Sequence, residues 1–387
     1  MVRLALVWQA LHYAVPIFWL YALLFADSGL SVAEISALFA IWSSAGIVVE
    51  VPSGALADRW SRRGSVVASG FVIAAGFAVW TVLPTFAGFT AGFVLWGVGA
   101  SLASGALEAL LYDGLAEHGA TESYPRVNGA LNAIAQLAQI PAGLAAGALY
   151  ELGGYVLVGW VSVGCCLVSS IPALFLPEPR PAPDPTADAE GEPGWWSTMV
   201  DGVRESVRTR AVGVAVLAVA VLGGVDAIEE YFPLVASDAG TPTAFVPLAL
   251  LVVPVAGALG SAAGGRVRGW TGVVLLVGSA AALGAVALTT HPAGLVGVTL
   301  FWGLYQAVRV CVESRLQDRI RGRARATVTS VASFGTEFSG IALFGAWALG
   351  GAGLVAALVL VCAPLLRPRA GPEDPESVAE HAESHEP

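Results

Sequence analysis

Six carboxylates, Glu50, Glu108, Asp226, Glu229, Glu313 and Glu337, fall inside stretches that are otherwise apolar. A charged group in hydrocarbon needs a partner, a proton or a water-filled cavity, and six acids cannot all be ionised in a dry interior. The chemistry open to them is reversible proton exchange. Asp226 and Glu229, three residues apart on one helix face, are the first candidates for it.

Polar groups at helical spacing accompany the acids. Trp302, Gln306, Arg309 and Glu313 repeat at intervals of four, three and four, which makes one stripe. Ser101, Ser104 and Glu108 make a second, and Gln9, His12 and Pro16 a third. Arg309 either snorkels to the nearer interface or faces a cavity, paired there with Glu313 or Glu108. His12 either bonds a neighbouring helix or lends its labile proton to coupling. Counted from Ala211, Asp226 lies about 22 Å from the basic end of its span, and Arg309 only about 7 Å from that end of its own. A direct Asp226–Arg309 pair is therefore not expected. Two further stripes, Asn128, Asn132, Gln136, Gln139 and Ser330, Ser333, Glu337, suit interhelical hydrogen bonding as well as ligand contact.

Other chemistries find no support. Cys165, Cys166, Cys311 and Cys362 sit in apolar runs without metal-ligand spacing. No Gly-x-Ser-x-Gly, His-Glu-x-x-His or phosphate-binding loop occurs, so neither an enzyme nor an ATP-driven pump is expected.

The elements that must position these groups are long apolar runs. With 12% charged residues, the 387-residue chain carries about half the charged share of a soluble domain. The pattern predicts an all-α integral membrane protein of twelve spans. They cover 4–25, 34–57, 65–83, 87–112, 126–150 and 155–176, then 211–235, 244–264, 271–290, 293–314, 326–349 and 351–366. The ten-residue alternation of a membrane β-barrel is missing. There is no lysine, and the arginines fall in alternate connections, which puts both termini in the cytoplasm of an inner or plasma membrane.

The net charge of −10 owes much to acids of the linker (Glu178 to Glu192) and the tail (Glu373 to Glu386), read as solvated and no basis for nucleic-acid binding. The expected organisation is a six-helix bundle over 1–176, a cytoplasmic linker over 177–210, a second bundle over 211–367 and a disordered acidic tail over 368–387. Within the linker, Trp195, Met199, Val203 and Val207 oppose Arg204 and Arg208, the pattern of an interfacial helix or of an extended start to the seventh span.

Two sets of six spans invite a search for duplication. Gly54-Ala55-Leu56-Ala57-Asp58-Arg59-Trp60-Ser61-Arg62-Arg63 follows the second span, and Gly257-Ala258-Leu259-Gly260, closing on Arg266 and Arg268, follows the eighth. Glu108 precedes Asp113 by five residues, as Glu313 precedes Asp318. The first segment resembles the cytoplasmic signature of the major facilitator superfamily, Gly-x-Leu-Ala-Asp-Arg-x-Gly-Arg-Arg, with Ser61 replacing its second glycine.

That resemblance implies two pseudo-symmetric six-helix halves, a cavity lined by the first and fourth helices of each, no cofactor, and a monomer. It also implies that Gly54, Asp58, Arg59, Arg62 and Arg63 form a conformational latch, with Asp58 as its switch. The cavity candidates are then Gln9, His12, Ser104, Glu108, Asp226, Trp302, Gln306 and Arg309. The fifth-helix signature of drug/proton antiporters is not intact, since only Pro141 is in place, followed by Gly143 and Gly147. The expected function is proton-coupled export of a small lipophilic or cationic compound by alternating access. Uptake of a sugar, amino acid or other metabolite is the main alternative, and a non-transporting assembly or sensor protein is a third.

Overall fold

The first span is not one helix. Proline has no N–H to give and forces the residue before it into extended backbone, so α1 (Val2–Tyr13) stops ahead of Pro16, with Val15 extended. A 3-10 turn (Pro16–Trp19) leads into α2 (Tyr21–Asp27). The break frees the Ile17 N–H, which donates to the buried Ser162 hydroxyl at 3.0 Å. In this computed structural model residues 1–59, 61–178, 210–289, 291–319 and 325–367 are described, with 50–59, 210, 211 and 325–327 as backbone only. The expected interfacial helix and the acidic tail lie outside these residues. So do the side-chain roles expected of Glu50, Asp58 and Arg59, and the contacts expected of Gly54.

The chain continues through α3 (Val32–Arg59), α4 (Arg62–Val82), α5 (Phe86–Glu117) and α6 (Tyr124–Leu174). After the linker, α7 (Arg210–Gly223) runs through a 3-10 segment (Gly224–Tyr231) into α8 (Phe232–Asp238). Then come α9 (Val246–Leu250), α10 (Val252–Gly264), α11 (Thr271–Val286), α12 (Ala293–Arg319) and α13 (Arg325–Val361).

Among the described residues, eight helical stretches are long and apolar enough to cross a membrane. Two of them, containing α6 and α13, are each a pair of helices joined at Gly153-Gly154 and at Gly350-Gly351. With α11 and the broken α1–α2 rod, the described elements make twelve crossings. Gly154 and Gly351 sit at φ +60° and +55°, a left-handed backbone that favours glycine, and each pair follows a leucine. The same Leu-Gly-Gly turn at equivalent places is a stronger mark of duplication than either repeat found by spacing.

The ends of the helices shift in a consistent way. The predicted fourth and tenth spans stop where apolarity stops, yet α5 runs on to Glu117 and α12 to Arg319. Both gain about a turn or more of polar helix at the arginine-bearing end.

The halves meet near the arginine-free end. Ser36 of α3 shares a buried 2.7 Å hydrogen bond with Tyr231. Phe39 packs on Tyr231 and Phe344, each at 5.4 Å between ring centres. One turn deeper, Ser43 donates to Glu337 of α13 at 2.9 Å. Toward the other end, Ser104, Glu108 and Glu313 are exposed.

Opening the arginine-free end must break these contacts. A Ser36→Cys reporter should react slowly with an impermeant maleimide from that side. Adding Glu337→Ala should speed labelling about fivefold, the equivalent of one hydrogen bond worth about 1 kcal/mol. Equal rates would show that the Ser43–Glu337 contact does not hold the closure.

Candidate functional site

A cavity of about 950 Å³ lies between the halves. Its second-half wall depends on how closely α10 approaches α12. Gly257, Gly260 and Gly264 face α12, and small residues let helices meet where no hydrophobic force drives them together. A methyl group at Gly257 would stand 2.7 Å from the Trp302 indole nitrogen, and one at Gly264 would stand 2.6 Å from the Val310 Cβ. At Gly260 it would overlap the Gly303 carbonyl oxygen. Part of the segment read as a repeat of the signature is therefore the seat of α12.

α12 presents Trp302, Gln306, Arg309 and Glu313 to the cavity, with Trp302 and Gln306 only 7% and 8% exposed. The 3-10 segment before α8 adds Glu229 and Glu230. Residues three apart eclipse on a 3-10 helix, so Asp226 stacks with Glu229. Where α7 gives way to this segment, the Leu222 carbonyl accepts a 2.6 Å hydrogen bond from the Tyr305 hydroxyl.

Arg309 forms an ion pair with Asp226, which corrects the expectation that the two stand too far apart. Its Nε also lies 3.0 Å from Glu313 Oε1, and Gln306 Nε2 donates to Asp226 Oδ1 at 3.4 Å. The depth estimate failed because α12 continues to Arg319, ten residues past Arg309, about 15 Å and not 7. The long arginine side chain closes the remaining gap to Asp226.

The opposite wall is aromatic. Phe18 stacks on Trp96 at 5.0 Å and 10°, and Trp42 lies 5.0 Å from Trp96. His12 and Tyr13 also line the cavity, and the His12 ring stacks on Trp8 at 4.4 Å. Gln9 is buried outside the lining, and Ser104 and Glu108 lie beyond it toward the arginine-bearing end. Glu337 belongs to the contact with Ser43, away from this wall. Helical spacing marks neither Trp42 nor Trp96, and it puts Glu230 off the face shared by Asp226 and Glu229. Adjacency to Glu229 was the available signal for Glu230. Each tryptophan reads in its own helix as ordinary packing.

At the arginine-bearing end, Arg62 pairs with Asp113. The Ser61 hydroxyl caps α4 by accepting from the Gly64 N–H at 2.8 Å, which a glycine there could not do. Ser61 Oγ also donates to Glu178 at 3.0 Å, and the Arg63 N–H donates to the same carboxylate at 3.4 Å. The Arg63 guanidinium lies 3.9 Å away. Glu178 was expected to be solvated linker charge. It instead docks on the open N–H groups at the helix N-terminus, where the dipole favours an anion.

Fold and site together define a multi-pass α-helical membrane protein whose two halves enclose a polar-and-aromatic cavity. The sequence profile of the Major Facilitator Superfamily matches residues 5–345, and the chain belongs to that superfamily, whose members are transporters and not enzymes. Over 148 residues it is 31% identical to uncharacterized MFS-type transporters of two Mycobacterium tuberculosis strains, CDC 1551 / Oshkosh and H37Rv. That match covers 38% of this chain and 34% of each relative, so the chain spans about a third of the length of the curated relatives it matches.

Among solved structures, the nucleoside transporter NupG matches with TM-score 0.68 at 14% identity, over 94% of this chain and 95% of that one. A D-xylose-proton symporter matches with TM-score 0.68 at 13% identity, over 95% and 97%. A bacterial homolog of the human lysosomal transporter Spinster, inward-facing and occupied, matches with TM-score 0.69 at 14% identity, over 94% and 95%. At these identities the likeness shows the fold alone.

Proposed function

We propose that this protein is a secondary transporter that exports a small lipophilic or cationic compound in exchange for protons, by alternating access. The observation that supports this best is the asymmetry of the cavity: an aromatic wall on the first half faces a wall of carboxylates on the second. The neutral state of an acid and its ionised state differ in what they bind, and an alternating cavity carries that difference from one side to the other. Asp226 and Glu229 are the central proton-coupling groups. Glu313 shares Arg309 with Asp226. Glu108 at the mouth, Glu337 at the closure and Glu50 are secondary candidates.

In this reading both termini and the linker over 177–210 are cytoplasmic, in a plasma or inner membrane. The contact between the halves then faces outward, and the conformation is inward-facing. Residues 1–176 and 211–367 rock as two bodies of a monomer, and Asp58 switches the latch on the cytoplasmic side. The likeness to a nucleoside transporter and to a D-xylose-proton symporter favours a second reading, uptake of a polar metabolite.

A growth screen separates the two. In a host lacking its own efflux pumps, expression should confer resistance to lipophilic cations, and Asp58→Asn at normal membrane levels should remove it. Sensitisation, or no effect with normal membrane expression, would favour uptake.

A further inference from the structure

Charge in the cavity does not balance. Among the described lining residues, Glu229, Glu230 and Glu313 carry carboxylates and Arg309 carries the one guanidinium. Arg309 is already shared between Asp226 and Glu313. Glu229 and Glu230 make no ion pair or hydrogen bond with any described residue, and both open onto the cavity. With one of the two ionised, an anion entering here meets like charge, a neutral ligand leaves that charge unmatched, and a single positive charge balances it.

Part of the polar lining on the opposite wall is occupied. Gln139 Nε2 donates to Gln136 Oε1 at 3.1 Å, and Trp19 Nε1 donates to the Gln139 carbonyl at 3.1 Å. This wall is dominated by ring faces, and ring faces attract cations. Open donors are few and scattered: the indole N–H groups of Trp42, Trp96 and Trp302 and the Tyr13 hydroxyl line the cavity without a hydrogen bond to any described residue. The volume of about 950 Å³ suits a drug-sized molecule.

We infer that the cavity takes a monovalent aryl cation, its charge met by the unpaired Glu229–Glu230 pair and its rings by Trp42 and Trp96. The inference rests on the export reading and deepens it. Glu229 and Glu230 are specificity groups that touch the ligand, whereas Arg309 holds Asp226 and Glu313 away from it.

Tetraphenylphosphonium and tetraphenylborate test this directly, since they match in size and shape and differ in the sign of their charge. Equilibrium binding to the purified, detergent-solubilised full chain should favour the phosphonium by at least tenfold over empty-micelle background. Glu229→Gln with Glu230→Gln should erase most of that preference, leaving the thermal midpoint near that of the parent. If the double variant does not fold, Glu230→Gln alone should weaken phosphonium binding severalfold without changing borate binding. Equal binding of the two ions by the parent, or an unchanged preference in a folded variant, would overturn the inference. The readout is binding, so export could fail in the growth screen while this preference stands, which would overturn the export reading alone.

Discussion

Arg309→Gln should abolish coupled transport and lower thermal stability, and adding Asp226→Asn should restore most of the stability, short of the Glu313 contact, without restoring the transport. Removing one member of a buried ion pair strands the other, at a cost of about 3–5 kcal/mol when water is fully excluded. Here the side chains are 37% and 31% exposed through the cavity, so screening reduces the expected loss to about 1–2 kcal/mol. The double substitution removes both charges and leaves two amides able to bond each other. On the proposed mechanism transport should stay absent, because the pair ties the 3-10 segment before α8 to α12. Thermal midpoints and flux measured on all four proteins form a double-mutant cycle. Strictly additive destabilisation would mean that the pair contributes nothing.

Gly260→Ala should be nearly as disruptive although it adds a single methyl group. That methyl would overlap the Gly303 carbonyl oxygen, which is backbone and cannot swing aside, so α10 must move off α12. Overpacking of this kind costs about 1–3 kcal/mol, and it also tilts the face that carries Gln306 and Arg309. Gly265→Ala is the matched control. Its φ is −63° and nothing stands within 4 Å of an added Cβ, so its stability should change by less than about 1 kcal/mol. Monodisperse yield and thermal midpoint should separate the two. Equal behaviour would contradict the tight seating of α12.

What was legible in the sequence was whatever depends on one helix at a time. Apolar length defines the crossings, and arginine placement distinguishes their two ends. The i, i+4 stripe from Trp302 to Glu313 does face one cavity. The stripe with Ser104 and Glu108 continues the face of Trp96 and Ala100 at steps of four, yet only the upper part of that face lines the enclosed volume. Where two or more helices decide, single-helix reasoning missed. The Asp226–Arg309 pair depends on a polar extension of α12 and on side-chain reach. The aromatic wall needs Phe18, Trp42 and Trp96 from three separate crossings. Glu178 looked like linker charge because its partners, Ser61 and Arg63, are 117 and 115 residues away. The twin Leu-Gly-Gly turns carry no charge and stand among many glycines, so in the sequence they look like ordinary small-residue packing.

The proposed mechanism exchanges a cation for protons through the carboxylate wall. The most direct measurement uses purified protein in liposomes with an acidic lumen and a slowly permeant aryl cation, ethidium, added outside. Ethidium should accumulate as the lumen alkalinises, both signals should vanish when the pH gradient is collapsed, and Asp226→Asn with Glu229→Gln should show neither. Ethidium accumulation that ignores the gradient, or that the double substitution leaves intact, would contradict the claim.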